Sequence, residues 1–174
     1  MFVARNHKGL LCNALEGKIE KGADCVCPAC SGAVRFKKGK VMQPHFAHVS
    51  LGECRFYREN ESAEHLNLKA DLFRWAVQKE EVEVEAFLPA LQQIADLLVD
   101  TRLALEVQCS PLSIERLQER TLSYRQHGYQ VLWLLGRKLW LKDSLTRLQK
   151  DFLYFSKIWA FISGSWIKKS EFCV

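Results

Sequence analysis

Hydrophobic and polar positions follow distinct patterns along the middle of the chain, and each pattern predicts an element. Between residues 61 and 79, apolar residues recur at helical spacing, and Asn60 or Ser62 can cap the helix that this spacing predicts. The next segment, "VEVEAFLP", alternates and predicts a strand. Because the acids of "EEVEVE" share one face of that strand, they are expected to face solvent.

Two further apolar segments, "QQIADLLV" and "LALEVQCS", predict a pair of strands. The residues between them, 100–102, are few enough for a tight turn, so the two strands are expected to be antiparallel neighbours. Acids inside such apolar strands are unusual, because burying an unpaired carboxylate is costly. Asp96 and Glu106 therefore either face solvent or converge on something positive.

A second helix and a last strand complete this region. The segment "SPLSIERLQERTLSYRQHG" predicts a helix with Ser110 or Ser113 as its cap and Gly128 at its end. The short apolar run "YQVLWLLG" is typical of a buried strand. A strand–helix–strand crossover of this kind makes its two strands parallel.

The order helix–strand–strand–strand–helix–strand predicts a mixed α/β (α+β) core with one mixed sheet over residues 59–136. Residues 1–58 are rich in Gly, Lys and Cys with short apolar pieces, which favours a small separate module. The amphipathic, aromatic segment 137–174 is expected to form one or two helices.

Composition and charge narrow the class of protein. The 174 residues are 48% hydrophobic and carry a net charge of +5, and the acids concentrate in residues 61–110 between two basic flanks, as in proteins that hold a polyanion. The N-terminus lacks the apolar run of a signal peptide, and no apolar run of about 18 residues predicts a membrane span. We therefore expect a reduced, cytoplasmic protein without membrane contact.

The cysteines and histidines of the N-terminal module predict a structural zinc site. "CVCPACSG" places Cys27 and Cys30 at the spacing of a zinc knuckle, and "QPHFAH" supplies His45 and His48. Cys27, Cys30 and His48 are the expected ligands, with either His45 or Cys54 as the fourth. Such a closed site stabilises the fold and has no catalytic role.

The acids of the core predict a second metal site. If the two central strands are neighbours, the carboxylates of Asp96 and Glu106 can approach each other and hold Mg²⁺ or Mn²⁺, with Gln108 on the same side as Glu106. On the first helix, Glu61 and His65 share the apolar face and are expected to lean toward these acids.

Several basic residues are candidates for contact with nucleic acid phosphates. Lys37 and Lys38 belong to the basic hairpin "RFKKGK", and Lys69 lies at the edge of the buried face of the first helix. Arg116 and Arg120 lie on the second helix, where Arg120 alternatively packs against Tyr124 one turn away.

Taken together, these segments resemble the competence protein CoiA family. The resemblance implies a PD-(D/E)XK restriction-endonuclease-like fold with an N-terminal zinc-finger-like module and a shortened C-terminal part. It identifies Asp96 and Glu106 with the motif acids, Gln108 with the final lysine of the motif, and Glu61 and His65 with the helix residues. The matching pieces, in chain order, are "CPAC", "KKGKVMQPHFAH", "ESAEHLNLK", "ADLLVD", "ALEVQCS" and "ERTLSYRQHGYQVLWLL".

The leading hypothesis is a metal-dependent nuclease that acts on single- or double-stranded DNA during natural transformation, on incoming DNA or its recombination. Asp96 and Glu106 would hold Mg²⁺ or Mn²⁺ with help from Glu61, while Gln108 positions water and His65 contacts phosphate. Glutamine lacks the charge of the lysine it replaces, so the alternative is a non-catalytic accessory protein that binds DNA and recombination proteins. The sequence leaves the oligomeric state open.

Overall fold

The computed structural model describes residues 1–17, 19, 24–50, 54, 56, 61–140 and 144–150, together with the backbone of residues 159–162 and 165–168. Asn60, one of the two predicted caps of the first helix, lies outside this part of the chain. Within the described residues, no helix combines the length and apolar character that a membrane crossing requires.

The N-terminal module is an antiparallel sheet of short strands in the order β2-β1-β3-β4-β5. The backbone N–H of Phe46 donates to the carbonyl of Met1 at 2.8 Å, which joins the last of these strands to the start of the chain. The strands are β1 (Val3–Asn6), β2 (Leu11–Asn13), β3 (Cys25–Val26), β4 (Ala33–Lys37) and β5 (His45–His48).

The core has the predicted order αβββαβ, which confirms the mixed α+β fold class. Its sheet has the strand order β6-β7-β8-β9, with antiparallel pairing among the first three strands and parallel pairing between β8 and β9. The elements are α1 (Ala63–Ala76), β6 (Val82–Leu88), β7 (Gln93–Val99), β8 (Leu103–Gln108), α2 (Ile114–Gln126) and β9 (Gln130–Leu135).

Serine caps begin both helices, and the second ends at a glycine as predicted. The Ser62 side chain accepts from the N–H of His65 at 3.2 Å, and Ser113 accepts from the N–H of Arg116 at 3.3 Å, so Ser113 rather than Ser110 caps α2. Gly128 follows α2 with φ of 82°, a left-handed conformation that a side chain would strain.

The two helices cover opposite faces of the core sheet. Leu66 of α1 belongs to a buried cluster with Leu97 and Leu105, whereas Leu117 of α2 belongs to a second cluster with Trp133. Successive side chains of a strand point to opposite faces, so each strand contributes to both clusters. A side chain of the sheet can therefore reach only one of the two helices.

Side-chain alternation along β6 reverses at Glu85. Val84 and Ala86 are two residues apart, which places side chains of a regular strand on the same face, but they lie in different clusters. Glu85 between them has φ of 53°. The β6–β7 pairing is interrupted at Glu85 and Asp96, and both carboxylates contact Lys69 of α1. The reversal thus turns two strand acids toward the first helix.

The C-terminal segment differs from its predicted helices. Residues 147–150 are helical, but β10 (Trp159–Ile162) and β11 (Ser165–Lys168) form an antiparallel pair. These strands are rich in aromatic and β-branched residues, which favour extended backbone, and the sequence between them is Ser-Gly, a hairpin-turn composition. The helical prediction was wrong here because it followed amphipathic spacing and ignored these preferences.

Candidate metal sites

A cluster of three cysteines and one histidine lies in the N-terminal module, and we call it the Cys3His cluster. One ligand atom from each of Cys27, Cys30, His48 and Cys54 lies within 4.8 Å of the others. The Cys30 sulfur is 3.5 Å from His48 Nε2. Four such donors around one point can hold a metal ion, and this donor set is typical of structural zinc sites.

A tight turn between β3 and β4 positions the first two cysteines. The N–H of Ser31 donates to the Cys27 carbonyl at 2.8 Å, and the N–H of Gly32 lies 3.4 Å from the Cys30 sulfur. A Cβ at Gly32 would lie 3.3 Å from that sulfur, so a larger residue would crowd the thiol. The turn aims both sulfurs at the same point, as the Cys-x-x-Cys spacing predicts.

Of the two candidates for the fourth ligand, one lies within the cluster. His45 lies outside the cluster, and its Nδ1 is 2.8 Å from the carbonyl oxygen of Gln43, whereas Cys54 lies within it. Burial raises the pKa of Cys27 to about 12 in the metal-free protein. A bound cation would lower the pKa of Cys27, because it stabilises the thiolate.

A second group of possible ligands joins α1 to β7, and we call Glu61, His65 and Asp96 the acid–histidine cluster. Their ligand atoms lie within 4.8 Å of one another. His65 Nε2 is 3.4 Å from Glu61 Oε1 and 3.3 Å from Asp96 Oδ1. The N–H of Val107 donates to the other Asp96 oxygen at 2.8 Å, which fixes the carboxylate against β8.

Lys69 places a fully buried ammonium beside this cluster. Its Nζ donates to the carboxylate of Glu61, to Glu85 at 2.8 Å and to Asp96 at 3.4 Å. The prediction that Lys69 contacts a phosphate of nucleic acid therefore does not match its surroundings. Lys69 is one of the buried residues of α1, and the carboxylates compensate its charge.

Electrostatic coupling shifts the pKa values of the whole group. Burial alone would raise the pKa of Glu61, but the charges of Lys69, the Met1 amine and His65 lower it to about 2. Burial opposes ionisation of Asp96 as well, yet Lys69 and His65 hold its pKa far below the usual range. For His65, burial lowers the pKa, but the charge of Asp96 and its hydrogen bond outweigh this and raise it. These acids are thus ionised at neutral pH.

Glu106, the other predicted metal ligand, lies outside the acid–histidine cluster. Its Oε1 accepts from Arg120 Nη2 at 2.6 Å and from the Tyr124 hydroxyl at 2.5 Å, and both donors belong to α2. Burial raises the pKa of Glu106 although Arg120 lowers it. The predicted convergence of Asp96 and Glu106 on one cation therefore differs from the structure, because Asp96 turns toward α1 and Glu106 toward α2.

Gln108, in the position of the motif lysine, points its amide along its own chain. Its Nε2 donates to the Ser110 carbonyl at 2.7 Å and lies 3.4 Å from the Ser110 hydroxyl. In this arrangement the amide is engaged away from the acid–histidine cluster. Its predicted role in positioning water remains a prediction.

The remaining predicted basic contacts divide into exposed and paired residues. Lys37, Lys38 and Arg116 are exposed and free to meet a phosphate. Arg120 is held by Glu106, and its guanidinium lies 5.5 Å from the centre of the Trp133 ring. The alternative prediction was that Arg120 packs against Tyr124, and both residues donate to the same oxygen of Glu106.

Sequence reasoning missed Glu85, which was expected to face solvent with the rest of its acidic run. Its side chain is 1% exposed and also accepts from the backbone N–H of Val3 at 3.0 Å. Strict alternation groups Glu85 with Glu83, which is exposed. No signal in the sequence marks the reversal that separates them.

Comparison with known proteins identifies both parts of the chain. The nuclease-like domain of competence protein CoiA matches residues 61–167, and the N-terminal domain of the same protein matches residues 13–57. Competence protein CoiA of Bacillus subtilis is 31% identical over 144 residues, which is 80% of this chain and 37% of that protein. The chain thus spans little more than a third of that relative's length, and no solved structure matches it. These matches, together with the αβββαβ core and the Cys3His cluster, show that the chain belongs to the competence protein CoiA family.

Proposed function

We propose that this chain is a metal-dependent nuclease-like protein that acts on DNA in competence. The observation that carries the proposal is the convergence of Glu61, His65 and Asp96 within 4.8 Å. Membership of a family whose domain is described as nuclease-like supports the same reaction class. The expected role is the processing or recombination of incoming DNA in the cytoplasm, together with recombination proteins.

The donor set of the acid–histidine cluster fits a divalent cation. Two carboxylates supply the hard oxygen ligands that Mg²⁺ and Mn²⁺ prefer, and the imidazole of His65 suits Mn²⁺. The charges of Glu61 and Asp96 persist at neutral pH, since both pKa values are lowered. A bound metal would lower the pKa of a water ligand and stabilise charge on a phosphate.

The residues around the metal would hold the reacting groups in place. The backbone N–H of Val107 fixes one oxygen of Asp96, which leaves the other oxygen toward His65 and Glu61. Lys69 would have to yield contacts with Glu61 and Asp96 to a bound metal while keeping its bond to Glu85. Exposed Lys37, Lys38 and Arg116 would contact the DNA backbone.

The Cys3His cluster is proposed as a structural zinc site. Four donors from the β3–β4 turn, from β5 and from Cys54 leave no position for a substrate, which is typical of zinc that stabilises a fold. Its contribution would be to hold the N-terminal sheet together. Glu85 then connects that sheet to the core through its bond to Val3.

Cleavage of labelled single-stranded and double-stranded DNA tests the nuclease proposal. Wild type should cleave with Mn²⁺ or Mg²⁺ and stop in chelator, and Asp96→Asn should fall to the level seen in chelator. Asp71→Asn is the matched control, because Asp71 also extends from the core but is 72% exposed. Equal cleavage by Asp96→Asn and Asp71→Asn would contradict the proposal.

A second candidate is a non-catalytic accessory protein that binds DNA and recombination proteins. It is favoured by Gln108 and Glu106, because the first bonds to Ser110 and the second to α2, so neither motif position faces the acid–histidine cluster. DNA binding by wild type without cleavage in any divalent metal, and unchanged binding by Asp96→Asn, would favour this candidate.

A further inference from the structure

A basic pocket lies where the chain passes from β4 to β5 in the N-terminal module. Its volume is about 500 Å³, within the range of small-ligand sites. Three lysines, Lys37, Lys38 and Lys40, line it together with His45. Lys37 and His45 are paired across the two strands, so their side chains lie on the same face of the sheet.

The charge of these lysines is not balanced by nearby acids in the sequence. The segment from residue 25 to residue 50 contains no Asp and no Glu. Exposed Arg74, in contrast, is paired with Asp71 at 3.1 Å, whereas within the described residues the three lysines of the pocket form no ion pair. Like charges around one pocket raise its positive potential, so the pocket favours an anion.

Contacts on the core side hold the pocket in shape before a ligand binds. His45 Nδ1 donates to the carbonyl oxygen of Gln43 at 2.8 Å, which leaves Nε2 as the ring nitrogen that can meet a ligand. The side-chain oxygen of Gln43 accepts from Arg74 Nη2 at 2.9 Å, and Met42 packs against the buried cluster that contains Leu66. A ligand would therefore lose little free energy in ordering this part of the backbone.

The pocket is close to the acid–histidine cluster. The Met1 amine donates to the carbonyl of Phe46, the residue after His45, at 3.3 Å and to the carboxylate of Glu61 at 2.5 Å. Burial lowers the pKa of His45, while the charge of Glu61 acts to raise it. A DNA strand held in the pocket would thus lie next to the proposed metal site.

The charge of the pocket favours a phosphate at the end of a strand over a phosphate within it. A terminal phosphate carries about two negative charges and three acceptor oxygens near neutral pH, whereas each phosphate within a strand carries about one charge. Lysine ammoniums bind phosphate as point charges. Three of them around one pocket match the more highly charged group.

We propose that this pocket binds the terminal phosphate of a DNA strand. The inference rests on the proposed function in taking DNA as the ligand, and it gives Lys37 and Lys38 a more specific partner than the DNA backbone. It requires neither cleavage nor a metal in the acid–histidine cluster. A phosphate at either end of the strand supplies the same chemistry, so the experiment includes both.

Fluorescence anisotropy of the zinc-loaded protein without other divalent metals tests the assignment. The probes are internally labelled single-stranded DNAs of one sequence, about 12 nucleotides long, with a 5′ phosphate, a 3′ phosphate or hydroxyl groups at both ends. Wild type should bind at least one of the phosphorylated strands about tenfold more tightly than the strand with hydroxyl ends, because the pocket adds charged contacts to that phosphate.

The ratio of these two affinities is the readout in the variants. Lys40→Gln and His45→Ala should each lower the ratio toward one, because each removes a contact of the pocket. Lys138→Gln is the matched control and should keep the ratio, since it removes the same charge from an exposed lysine that does not line the pocket. Circular dichroism and zinc content establish that each variant is folded.

Equal affinity of wild type for the strands, binding of none of them, or the same fall of the ratio in Lys138→Gln would overturn the assignment. If DNA is never cleaved but the preference for a terminal phosphate persists, the nuclease proposal fails and the pocket assignment stands. Metal-dependent cleavage without this preference gives the opposite result.

Discussion

At the scale of single residues, Lys69 balances the charge of the carboxylates around α1. Its ammonium is fully buried and contacts Glu61, Glu85 and Asp96, so each group compensates the desolvation of the others. Burial would lower the pKa of Lys69, but these acids raise it well above its ordinary value. The amine therefore stays charged and occupies part of the space that a divalent cation would need.

Lys69→Met is expected to destabilise the metal-free protein by about 3–5 kcal/mol, because it leaves buried carboxylates without a partner. Mn²⁺ should then raise the stability of the variant more than that of wild type, since the cation replaces the lost ammonium. Urea unfolding with and without Mn²⁺ measures both effects. Exposed Lys38→Met is the control, and equal stability of the two variants would contradict this account.

The raised pKa of His65 predicts a pH dependence of the metal-free protein. Asp96 and Glu61 face the imidazole and favour its charged form, while burial and Lys69 oppose it. Because the pKa is raised in the folded state, His65 contributes its full stabilisation of the fold at pH values below 6.5, its ordinary pKa. That contribution is lost as the pH rises through the folded-state pKa.

Titration of the His65 ring signals by NMR should give a midpoint above 6.5. In Asp96→Asn the midpoint should fall, because the leading favourable charge is removed. A wild-type midpoint below the ordinary histidine value would show that burial outweighs the acids.

Side chains on helices were easier to predict than side chains on strands. Helical spacing was expected to bring Glu61 beside His65, and the two side chains do meet, although α1 begins at Ala63 and Glu61 precedes its capping residue. Strand parity failed at Glu85, because the alternation reverses there. It failed again at Asp96, because the alternation along β7 also reverses there, which turns Asp96 to Lys69 while Glu106 turns to Arg120.

At the scale of elements, the turn between β3 and β4 organises the N-terminal module. It carries Cys27 and Cys30, and β5 brings His48 against them. Strands as short as Cys25–Val26 bury little apolar surface, so a bound metal would supply much of the stability of this sheet.

The two histidines of β5 provide a matched pair for testing this site. His48→Ala should lose the bound metal and lower the thermal midpoint, whereas His45→Ala should retain the metal, because His45 bonds to Gln43 instead. Metal content by mass spectrometry and the absorption spectrum after cobalt substitution measure the difference. Loss of metal from His45→Ala alone would reverse the ligand assignment.

The order and type of the core elements could be predicted because their patterns are long and local. Capping serines, Gly128 and the apolar runs define αβββαβ without tertiary information. The segment at 159–162 was mispredicted, because amphipathic spacing in a short aromatic stretch suits either a helix or a strand.

At the scale of the whole molecule, the N-terminal module and the core share one buried cluster. Phe2, Phe46 and Cys54 from the module lie in it together with Leu66 and Leu97 from the core. The same cluster therefore contains Cys54 of the Cys3His cluster and Leu66 of α1, the helix that carries His65.

The central claim is that Glu61, His65 and Asp96 form a divalent cation site. Electron paramagnetic resonance of Mn²⁺ titrated into the zinc-loaded protein tests it most directly, because bound Mn²⁺ leaves the signal of the free ion. Wild type and Asp71→Asn should bind one Mn²⁺ that Asp96→Asn does not bind. Failure of wild type to bind Mn²⁺, or equal binding by Asp96→Asn, would contradict the claim.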